Sequence, residues 1–453
     1  MMLNKRTVLV VGLGRSGIAA AFAAAELGAE VSVQDSKPAD QIDPQLLRRL
    51  DAAHIRCWLG RVPDDMGYYD QLILSPGVPT DLDFILEAKA GGAEIIGELE
   101  LAYRIGNGHY IGITGTNGKT TTTTLTGEIF KASGRDTYVV GNIGRAVLDG
   151  AKEADGDSWL VTEISSFQLE TTDEFRPEVS AILNLTPDHL NRHKTMENYG
   201  KAKARIFLRQ SMDQYCVVNY DDKACFALAD DCPAKVVPFS RLEELEFGAF
   251  VRDGKIVIRD EDGRIIEICG ADELLIPGSH NLENALAAAA ISYFAGISPD
   301  VIGDTMRSFA GVEHRIEPCG EVNGVRFVND SKGTNTDAAI KAIEAMKENI
   351  LLIAGGYDKQ ADFTEMVKTF EGRVKKVLLL GATAEQIKRT CEENGFTDII
   401  MCSDMEDCVK TAFENAEPGD VVLLSPACAS WDMYKSFEQR GEHFKACVKD
   451  LLQ

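Results

Sequence analysis

HYIGITGTNGKTTTTTL, residues 109–125, joins an apolar strand to a helix through a glycine loop. Backbone N–H groups of such a loop cradle phosphates, and a lysine at the helix start reaches the terminal phosphates. Lys119 and Thr120 stand at these positions, and a threonine hydroxyl there suits Mg²⁺. Ile113 replaces the first glycine of the standard motif, so the loop is shortened to Gly-x-x-Gly-Lys-Thr. The stretch predicts a P-loop in an α/β sheet; the alternative is an ordinary polar turn.

Oxygen and nitrogen ligands follow predicted strands farther along the same region. Glu163 lies in VTEISSFQLE, and Asp188 and His189 lie in NLTPDHLNRH. A carboxylate at a strand end beside a P-loop suits Mg²⁺, directly or through water. His189 would serve a second Mg²⁺, although imidazole is an unusual partner for so hard an ion. Each residue alone is as well explained by a capping or core role, but together with the P-loop they indicate a phosphate and metal site.

The N-terminal region carries a second glycine turn. Gly12, Gly14 and Gly17 form a G-x-G-x-x-G pattern between the apolar run RTVLVV and an alanine-rich helix, and Asp35 ends the next predicted strand. This pattern is typical of a turn that holds a diphosphate at a helix N-terminus. Taken alone it favours an NAD-dependent or FAD-dependent oxidoreductase, or a turn whose small residues serve packing.

The C-terminal region has further polar groups after apolar runs. Asp330 ends VRFVND and Lys332 follows it before a predicted helix, which places both in a ligand crevice. Small and hydroxyl residues around Ser430 follow the run DVVLLS and would form a carboxylate nest. Asn281 and Asn284 begin an alanine-rich helix, where an amide reads an adenine edge or caps the helix.

Composition restricts the classes of partner. The 453 residues carry a formal net charge of −24, and a surface so acidic repels nucleic acid and anionic membranes. Eleven cysteines without a C-x-x-C pair indicate reduced thiols rather than disulfides or a zinc site. Since no apolar run reaches the length of a membrane span, we expect a cytoplasmic protein.

Short apolar runs alternate with helical stretches along the chain, which predicts an α/β fold with parallel, doubly wound sheets. Residues 248–269 differ, since apolar and polar residues alternate there around two Asp-Gly turns. We expect a small antiparallel patch at that point. At about 150 residues per domain, the length corresponds to about three domains.

The motifs together resemble those of the Mur ligases along nearly the whole chain. They run in the order GLGRSG, SPG, TGTNGKTTT, EISSFQLE, NLTPDHLNRH, HNLENALAA, HRIE, NDSKGTN, GGYDK and SPACASWDMYKSFEQRGEHF. The first and last are similar to the branch that adds D-glutamate to UDP-N-acetylmuramoyl-L-alanine in peptidoglycan synthesis. The resemblance implies three domains: a Rossmann-like UDP-substrate domain (1–97), a central P-loop ATPase-like domain (98–311) and a C-terminal Rossmann-like amino-acid domain (312–453).

The resemblance also implies roles for individual positions. Catalysis is expected from Lys119, Glu163, His189 and Lys203. ATP is expected at Gly115, Thr116, Asn117, Gly118, Lys119, Thr120, Thr121, Asn281, Asn284, Arg315, Asp330 and Lys332. The UDP substrate is expected at Gly14, Arg15, Ser16, Asp35, Ser36, Lys37, Ser75, Gly77, Asn142, Ser165 and His189. D-glutamate is expected at Thr334, Lys359, Ser430, Trp431 and Phe437.

Two Mg²⁺ ions are implied in the same way, one held by Thr120 and Glu163 and the other by His189 and Lys203. Lys203 would act as a carbamate, which forms from a neutral amine and therefore requires a lowered lysine pKa. The implied reaction is attack of the substrate carboxylate on the γ-phosphorus of ATP, followed by attack of the D-glutamate amine on the acyl phosphate. One chain supplies every expected site, so we expect a monomer.

Three rival functions remain at this point. An NAD-dependent oxidoreductase leaves the P-loop and Glu163 unexplained. An inactive nucleotide sensor is disfavoured because Lys119, Thr120, Glu163 and Asp330 are all intact, and measurable turnover would dismiss it. A folylpolyglutamate synthase is disfavoured by the N-terminal glycine domain, because those enzymes begin near their P-loop.

Overall fold

The structure is a computed structural model, which describes residues 3–357 and 361–451. The described residues of Met1–Glu273 and Glu283–Arg307 form one compact unit, and those of Leu274–Leu282 and Ser308–Gln453 form another. Three mostly parallel sheets with flanking helices confirm the expected three-domain α/β fold. The exact domain boundaries stay predictions.

The first sheet is parallel, with strand order β3-β2-β1-β4-β5. Its strands are β1 (Thr7–Val11), β2 (Glu30–Asp35), β3 (Arg56–Leu59), β4 (Gln71–Leu74) and β5 (Glu94–Gly97). The helices of this region are α1 (Arg15–Glu26), α2 (Pro44–Ala52), α3 (Asp83–Ala90) and α4 (Glu98–Ile105). The strand order reverses between β1 and β4, and ligands of such sheets bind beyond the carboxyl ends at this switch point.

The second sheet has nine strands in the order β14-β13-β12-β11-β10-β9-β6-β8-β7. They are β6 (His109–Thr114), β7 (Thr137–Gly141), β8 (Trp159–Glu163), β9 (Val179–Ile182), β10 (Tyr215–Asn219), β11 (Lys235–Ser240), β12 (Gly248–Arg252), β13 (Lys255–Arg259) and β14 (Ile265–Gly270). The last three pair in antiparallel fashion, which confirms the patch expected from the Asp-Gly turns.

The helices of the central region differ greatly in length. They are α5 (Lys119–Ala132), α6 (Val147–Glu153), α7 (Ser166–Leu169), α8 (Leu190–His193), α9 (Met196–Ala204), α10 (Lys223–Phe226), α11 (Ser279–Phe294) and α12 (Pro299–Ser308). β8 and β9 end at Glu163 and Ile182, and the polar residues that follow them lie outside the sheet. Ser165 caps α7 instead of extending β8, because its hydroxyl accepts from the Gln168 amide.

The third sheet has strand order β15-β16-β20-β17-β18-β19 and is parallel except at β15. Its strands are β15 (Glu317–Val322), β16 (Val325–Asn329), β17 (Ile350–Ala354), β18 (Val374–Leu379), β19 (Ile399–Met401) and β20 (Val421–Leu424). The helices are α13 (Thr336–Ala345), α14 (Thr364–Lys368), α15 (Ala384–Glu393), α16 (Met405–Asn415) and α17 (Phe437–Leu451). Short 3₁₀ turns elsewhere lie at Ala39–Gln41, Met66–Tyr68, Ala227–Asp231 and Ala271–Glu273.

The central strands are buried on both faces, as expected for parallel sheets covered by helices. All residues of β4, β9, β17 and β20 are buried. Polar site residues therefore lie at strand ends, where the chain leaves the apolar interior. No helix in the described part of the chain is both long and apolar enough to cross a bilayer.

Candidate nucleotide and metal site

The P-loop connects β6 to α5 and depends on two glycines. Gly115 and Gly118 have φ of 157° and 82°, the second in the left-handed region. A Cβ on Gly118 would lie 2.2 Å from Asn284 Oδ1, so a larger residue would have to displace the Asn284 side chain. Lys119 Nζ donates to the carbonyl oxygens of Gly115 and Thr116, at 2.9 and 2.7 Å. The lysine thus folds back over the loop whose N–H groups are expected to meet phosphates.

Glu163 brings a carboxylate to the edge of this loop. It ends β8, pairs with Ile113 of β6 and is 2% exposed. Its Oε1 accepts from Asn142 Nδ2 at 2.9 Å, whereas its buried Oε2 has no hydrogen-bond donor among residues 3–357 and 361–451. A buried, orphaned carboxylate oxygen is costly unless a cation meets it. The donor set therefore fits Mg²⁺, together with the buried Thr120 at the start of α5.

A loop after β9 is bonded along its length to the P-loop. Thr116 N donates to Asn184 O at 3.1 Å, and Asn117 N donates to Asn184 Oδ1 at 2.8 Å. Thr186 N in turn donates to Thr116 Oγ1 at 3.1 Å. These bonds bring the following His189 into the P-loop neighbourhood. Sequence reasoning missed Asn184; its signal is an amide directly after an apolar strand and before the expected metal ligands.

His189 occupies an unusual backbone conformation. Its φ of 53° is left-handed, which is uncommon for a residue with a side chain. The ring Nε2 lies 3.5 Å from Asp188 Oδ2, and the ring lies 4.7 Å from that of Phe167. Such conformations are common at functional sites but also occur elsewhere in this chain, and the role of His189 stays a prediction.

Lys203 lies on α9 with 1% of its surface exposed. Its Nζ donates to Gly115 O at 2.8 Å and lies 4.4 Å from the ring centre of Tyr199. Burial, reinforced by the charge of Lys119, lowers the pKa of Lys203 well below its usual range. A lowered pKa supplies the neutral amine that carbamate formation requires. Tyr199 was also missed; it precedes Lys203 by one helical turn, and its hydroxyl lies 3.3 Å from Thr116 Oγ1.

The glycine turn of the first sheet has both packed and open positions. A Cβ on Gly17 would lie 1.8 Å from Gly12 O, so packing requires this glycine. A Cβ on Gly14 would meet nothing within 4 Å, which leaves room for a ligand. Ser75 Oγ donates to Gly12 O at 2.8 Å, and Asp35 Oδ2 accepts from Leu13 N at 2.7 Å. These bonds join the turns after β1, β2 and β4.

Arg15 links this turn to the central sheet within the same compact unit. Its guanidinium donates to Gly144 O at 2.5 Å and to Gly141 O at 3.3 Å. The loop between those carbonyls carries Asn142, the partner of Glu163. Ser36, Lys37 and Gly77, also expected at the UDP substrate, lie on the turns of the first sheet. Ser16 lies in the first turn of α1, and Ser165 caps α7.

Asp330 is the centre of the polar cluster in the second compact unit. It is 4% exposed and accepts from Ser425 Oγ at 2.8 Å and from Ile316 N at 3.3 Å. Burial raises the pKa of Asp330 to about 6, against the opposing charge of Arg315. Lys332 lies nearby in the chain, with Nζ 5.2 Å from the ring centre of Phe437. Arg315, Asp330 and Lys332 are thus placed in one region of this unit.

The residues expected at D-glutamate are less uniform. Ser430 is 2% exposed, whereas Trp431 is 63% exposed and lies 5.5 Å from the ring of Tyr357. Thr334 lies in the loop between β16 and α13. Lys359 lies outside the described residues, so the structure does not place it. The structure therefore leaves this pocket a prediction.

The two helix-start amides are placed differently. Asn281 is the third residue of α11 rather than its cap, and its Nδ2 donates to Pro277 O at 2.7 Å. Asn284 lies against Gly118, and its Oδ1 accepts from Thr122 Oγ1 at 3.3 Å. Asn284 thus supports the P-loop directly, and an adenine contact stays a prediction for both residues.

The fold and site define a class: an α/β protein with a P-loop after a parallel strand, a buried carboxylate at the end of the neighbouring strand, and a second glycine turn in the first sheet. The chain matches the Mur ligase MurD-like N-terminal domain over residues 6–97, the Mur ligase middle domain over 113–292 and the Mur ligase glutamate ligase domain over 314–428. It belongs to the Mur ligase family.

Curated relatives are similar over their whole length. The UDP-N-acetylmuramoylalanine–D-glutamate ligases of Alkaliphilus oremlandii and Clostridioides difficile are 51% and 50% identical to this chain, each with 100% of both chains covered. Among solved structures, the pseudomurein peptide ligase type C of Methanothermus fervidus superposes with a TM-score of 0.61 at 17% identity, covering 99% and 100% of the two chains. MurF ligase of Thermotoga maritima in complex with ADP gives 0.60 at 17%, covering 99% and 96%. These two structures are similar in fold.

Proposed function

We propose that this enzyme joins D-glutamate to UDP-N-acetylmuramoyl-L-alanine at the expense of ATP, in peptidoglycan synthesis. The chain has full-length relatives named UDP-N-acetylmuramoylalanine–D-glutamate ligase. The observation that carries the proposal is the P-loop together with the orphaned Oε2 of Glu163, which ends the strand paired with β6 before that loop. An oxidoreductase would leave both groups without a use.

The P-loop binds and orients the triphosphate. Its N–H groups and the N-terminus of α5 hold phosphate oxygens, and the Lys119 ammonium is available to the transferred phosphoryl group. Asn142 fixes the orientation of the Glu163 carboxylate through their 2.9 Å hydrogen bond. Mg²⁺, held by Thr120 with Glu163 and by His189 with Lys203, would offset the charge that develops during transfer.

The reaction then proceeds in two displacements. A carboxylate oxygen of the acceptor attacks the γ-phosphorus, and the bond to ADP breaks. The deprotonated amine of D-glutamate attacks the acyl carbon, and inorganic phosphate leaves with that carboxylate oxygen. Oxygen-18 placed in the acceptor carboxylate must therefore appear in the released phosphate; unlabelled phosphate would exclude this route.

Lys203 is proposed to work as a carbamate. Its buried position, its contact with Gly115 O and the nearby Lys119 favour a neutral amine that adds carbon dioxide. The product is a carboxylate on a side chain that otherwise offers no anionic ligand. A carbonyl resonance in the carbamate range after exchange with ¹³C-bicarbonate, absent from Lys203→Arg, is the expected result.

Phosphate release tests the function as a whole. The enzyme is supplied with ATP, Mg²⁺ and UDP-N-acetylmuramoyl-L-alanine, together with D-glutamate, L-glutamate, diaminopimelate or no amino acid. We expect release with D-glutamate alone, and loss of release in Lys119→Met. Release with another amino acid would move the enzyme to a different branch of the family, and no release with any acceptor would reject the ligase function.

The remaining assignments are proposals of the same kind. Arg315, Asp330 and Lys332 are proposed to contact ATP, and Thr334, Lys359, Ser430, Trp431 and Phe437 to contact D-glutamate. A monomer is proposed, and sedimentation equilibrium at assay concentration tests it.

A further inference from the structure

We propose that Arg192 is a positioning residue that couples the metal ligand His189 to the turn after β4. The inference rests on the proposed function, which assigns His189 to Mg²⁺ and the turn at Ser75–Gly77 to the UDP substrate. Arg192 would then make the geometry at one site depend on the geometry at the other.

The Arg192 guanidinium spans both elements. Its two terminal nitrogens donate to Pro76 O at 3.2 Å and to Val78 O at 3.0 Å, the carbonyls on either side of Gly77. Its Nε donates to Glu170 Oε2 at 3.1 Å. Arg192 and Glu170 are 16% and 18% exposed, so the charge-assisted bonds are partly shielded from water. The planar fork of arginine meets three acceptors at once, which a lysine cannot do.

The helix that carries Arg192 needs such an anchor. α8 contains four residues, too few to be stable by its own hydrogen bonds. The amides of Arg192 and His193 both donate to the carbonyl of His189, at 3.0 and 3.1 Å. The strained backbone of His189 is therefore held by a short turn, and contacts between that turn and other elements fix its position.

Side chains anchor this turn at Glu170. The carboxylate accepts from Arg192, and its Oε1 lies 3.4 Å from His193 Nδ1. The opposite ring nitrogen of His193 lies 3.0 Å from Ser166 Oγ at the start of α7. The turn is thus bonded to α7 and its C-terminal end on one side and to the first sheet on the other.

A second path from Arg192 to His189 runs through Phe167. The Arg192 guanidinium carbon lies 4.5 Å from the centre of the Phe167 ring, and the His189 ring centre lies 4.7 Å from it. A shift of Arg192 is therefore transmitted to His189 through the backbone of α8 and through this aromatic contact. The same shift releases the carbonyls that flank Gly77.

Loss of the fork should weaken two binding events together. We expect Arg192→Gln to raise the KM for UDP-N-acetylmuramoyl-L-alanine and the Mg²⁺ concentration for half activation, each by about tenfold, as for other residues that orient a metal ligand. The KM for D-glutamate should change less, by under about twofold. Arg192→Lys keeps the charge but not the planar guanidinium. Both constants should therefore lie between those of the wild type and those of Arg192→Gln.

Arg209→Gln is the matched control. Arg209 also bonds one carboxylate and one carbonyl, both of Asp173, at 2.6 Å each, but it is exposed on the protein surface. All variants are compared by steady-state kinetics at varied Mg²⁺ and by thermal unfolding. The control should match the wild type in both constants.

Several outcomes would overturn the inference. Unchanged constants in Arg192→Gln, a change in one of the two alone, or equal effects in Arg209→Gln would each do so. If Arg192→Gln does not fold, Glu170→Gln removes the anchor of α8 while Arg192 is kept, and it must raise the Mg²⁺ requirement. A wild-type enzyme without D-glutamate-dependent release would instead reject the proposed function itself.

Discussion

Glu163 is the residue on which phosphoryl transfer should depend most. Glu163→Gln keeps the shape and an oxygen for Asn142, but it presents an amide where the structure has an orphaned carboxylate oxygen. We expect kcat to fall by about 10²–10³, the usual effect of removing one group that stabilises developing charge. Phosphate release measures this loss. Glu128→Gln, on the exposed side of α5, is the control, and near-normal turnover in Glu163→Gln would contradict the assignment.

Glu98 should make stability depend on pH. It is 2% exposed, its Oε1 accepts from Leu148 N at 2.7 Å, and its Oε2 has no hydrogen-bond partner within the described chain. Burial raises the pKa of Glu98 from 4.5 to about 7. Because the pKa is raised, the folded protein favours protonated Glu98. The contribution of the protonated side chain to the free energy of unfolding is full below pH 4.5 and is lost as the pH rises through about 7.

Glu98→Gln mimics the protonated form and should remove this dependence. At about 1.4 kcal/mol per pKa unit, the free energy of unfolding of the wild type should fall relative to Glu98→Gln by up to about 3 kcal/mol between pH 5 and pH 8. Urea titrations at the two pH values measure the difference. Parallel behaviour of the two proteins would show that Glu98 is already ionised at pH 5.

Residue identities were predictable where a local motif carries them. Lys119, Glu163 and His189 stand in short patterns with their own chemistry. The structure pairs Glu163 at the end of β8 with Ile113 of β6, the strand that leads into the P-loop and Lys119. Asn184 and Arg192 were not found, because their meaning lies in partners far away in sequence. The contact between Arg192 and Pro76 spans 116 residues, and no pattern in a single chain records it.

At the scale of elements, two glycines with the same φ allow the effect of backbone strain to be distinguished from that of steric crowding. Gly118 and Gly134 both have φ of 82°, but a Cβ meets Asn284 at 2.2 Å in the first case and nothing within 4 Å in the second. Alanine at either should cost about 1 kcal/mol of stability, since both require a left-handed backbone. Gly118→Ala should in addition weaken ATP binding by about tenfold, because the Asn284 side chain that packs against the loop must move.

Calorimetry with ATP and thermal unfolding of both variants check this prediction. Gly134→Ala, at the end of α5, serves as the control and should bind ATP normally. Equal ATP affinities in the two variants would show that the loop accommodates the extra methyl group.

The elements themselves were predictable in proportion to their hydrophobic pattern. The buried apolar runs of β17 and β20 were predictable as strands, and the Asp-Gly turns predicted the antiparallel strands β12–β14. β15 was missed, because EPCGEV contains proline and glycine and lies at an exposed sheet edge with an irregular register. Four-residue helices such as α8 were also missed, since they are shorter than any periodic window.

At the scale of the whole molecule, the net charge of −24 opposes the approach of anionic substrates. Salt screens this repulsion, because the Debye length falls from about 30 Å at 0.01 M to about 8 Å at 0.15 M. We expect kcat/KM for UDP-N-acetylmuramoyl-L-alanine to rise by about two- to threefold over that range at fixed Mg²⁺. Kinetics in NaCl measure it, with sucrose as a control without ions. A steady fall with salt would show that local cations control the approach.

The order of the three sheets along the chain was predictable, because each begins with its own motif and alternates strand with helix. The order of strands within a sheet was not. β20 inserts between β16 and β17, although almost a hundred residues of chain separate it from β16. Such pairings are set by long-range packing that leaves no local trace.

Gly14 has a consequence for the genetics of this enzyme. Its φ of −74° is available to any residue, and the space beyond its Cα is open. The fold therefore has room for a side chain at this position, and we expect the glycine to serve recognition of the UDP substrate. An allele with valine at this position should be expressed at a normal level and yet fail to complement a conditional mutant. One added side chain at the glycine turn of the first sheet would then stop growth of the cell without lowering the amount of the protein.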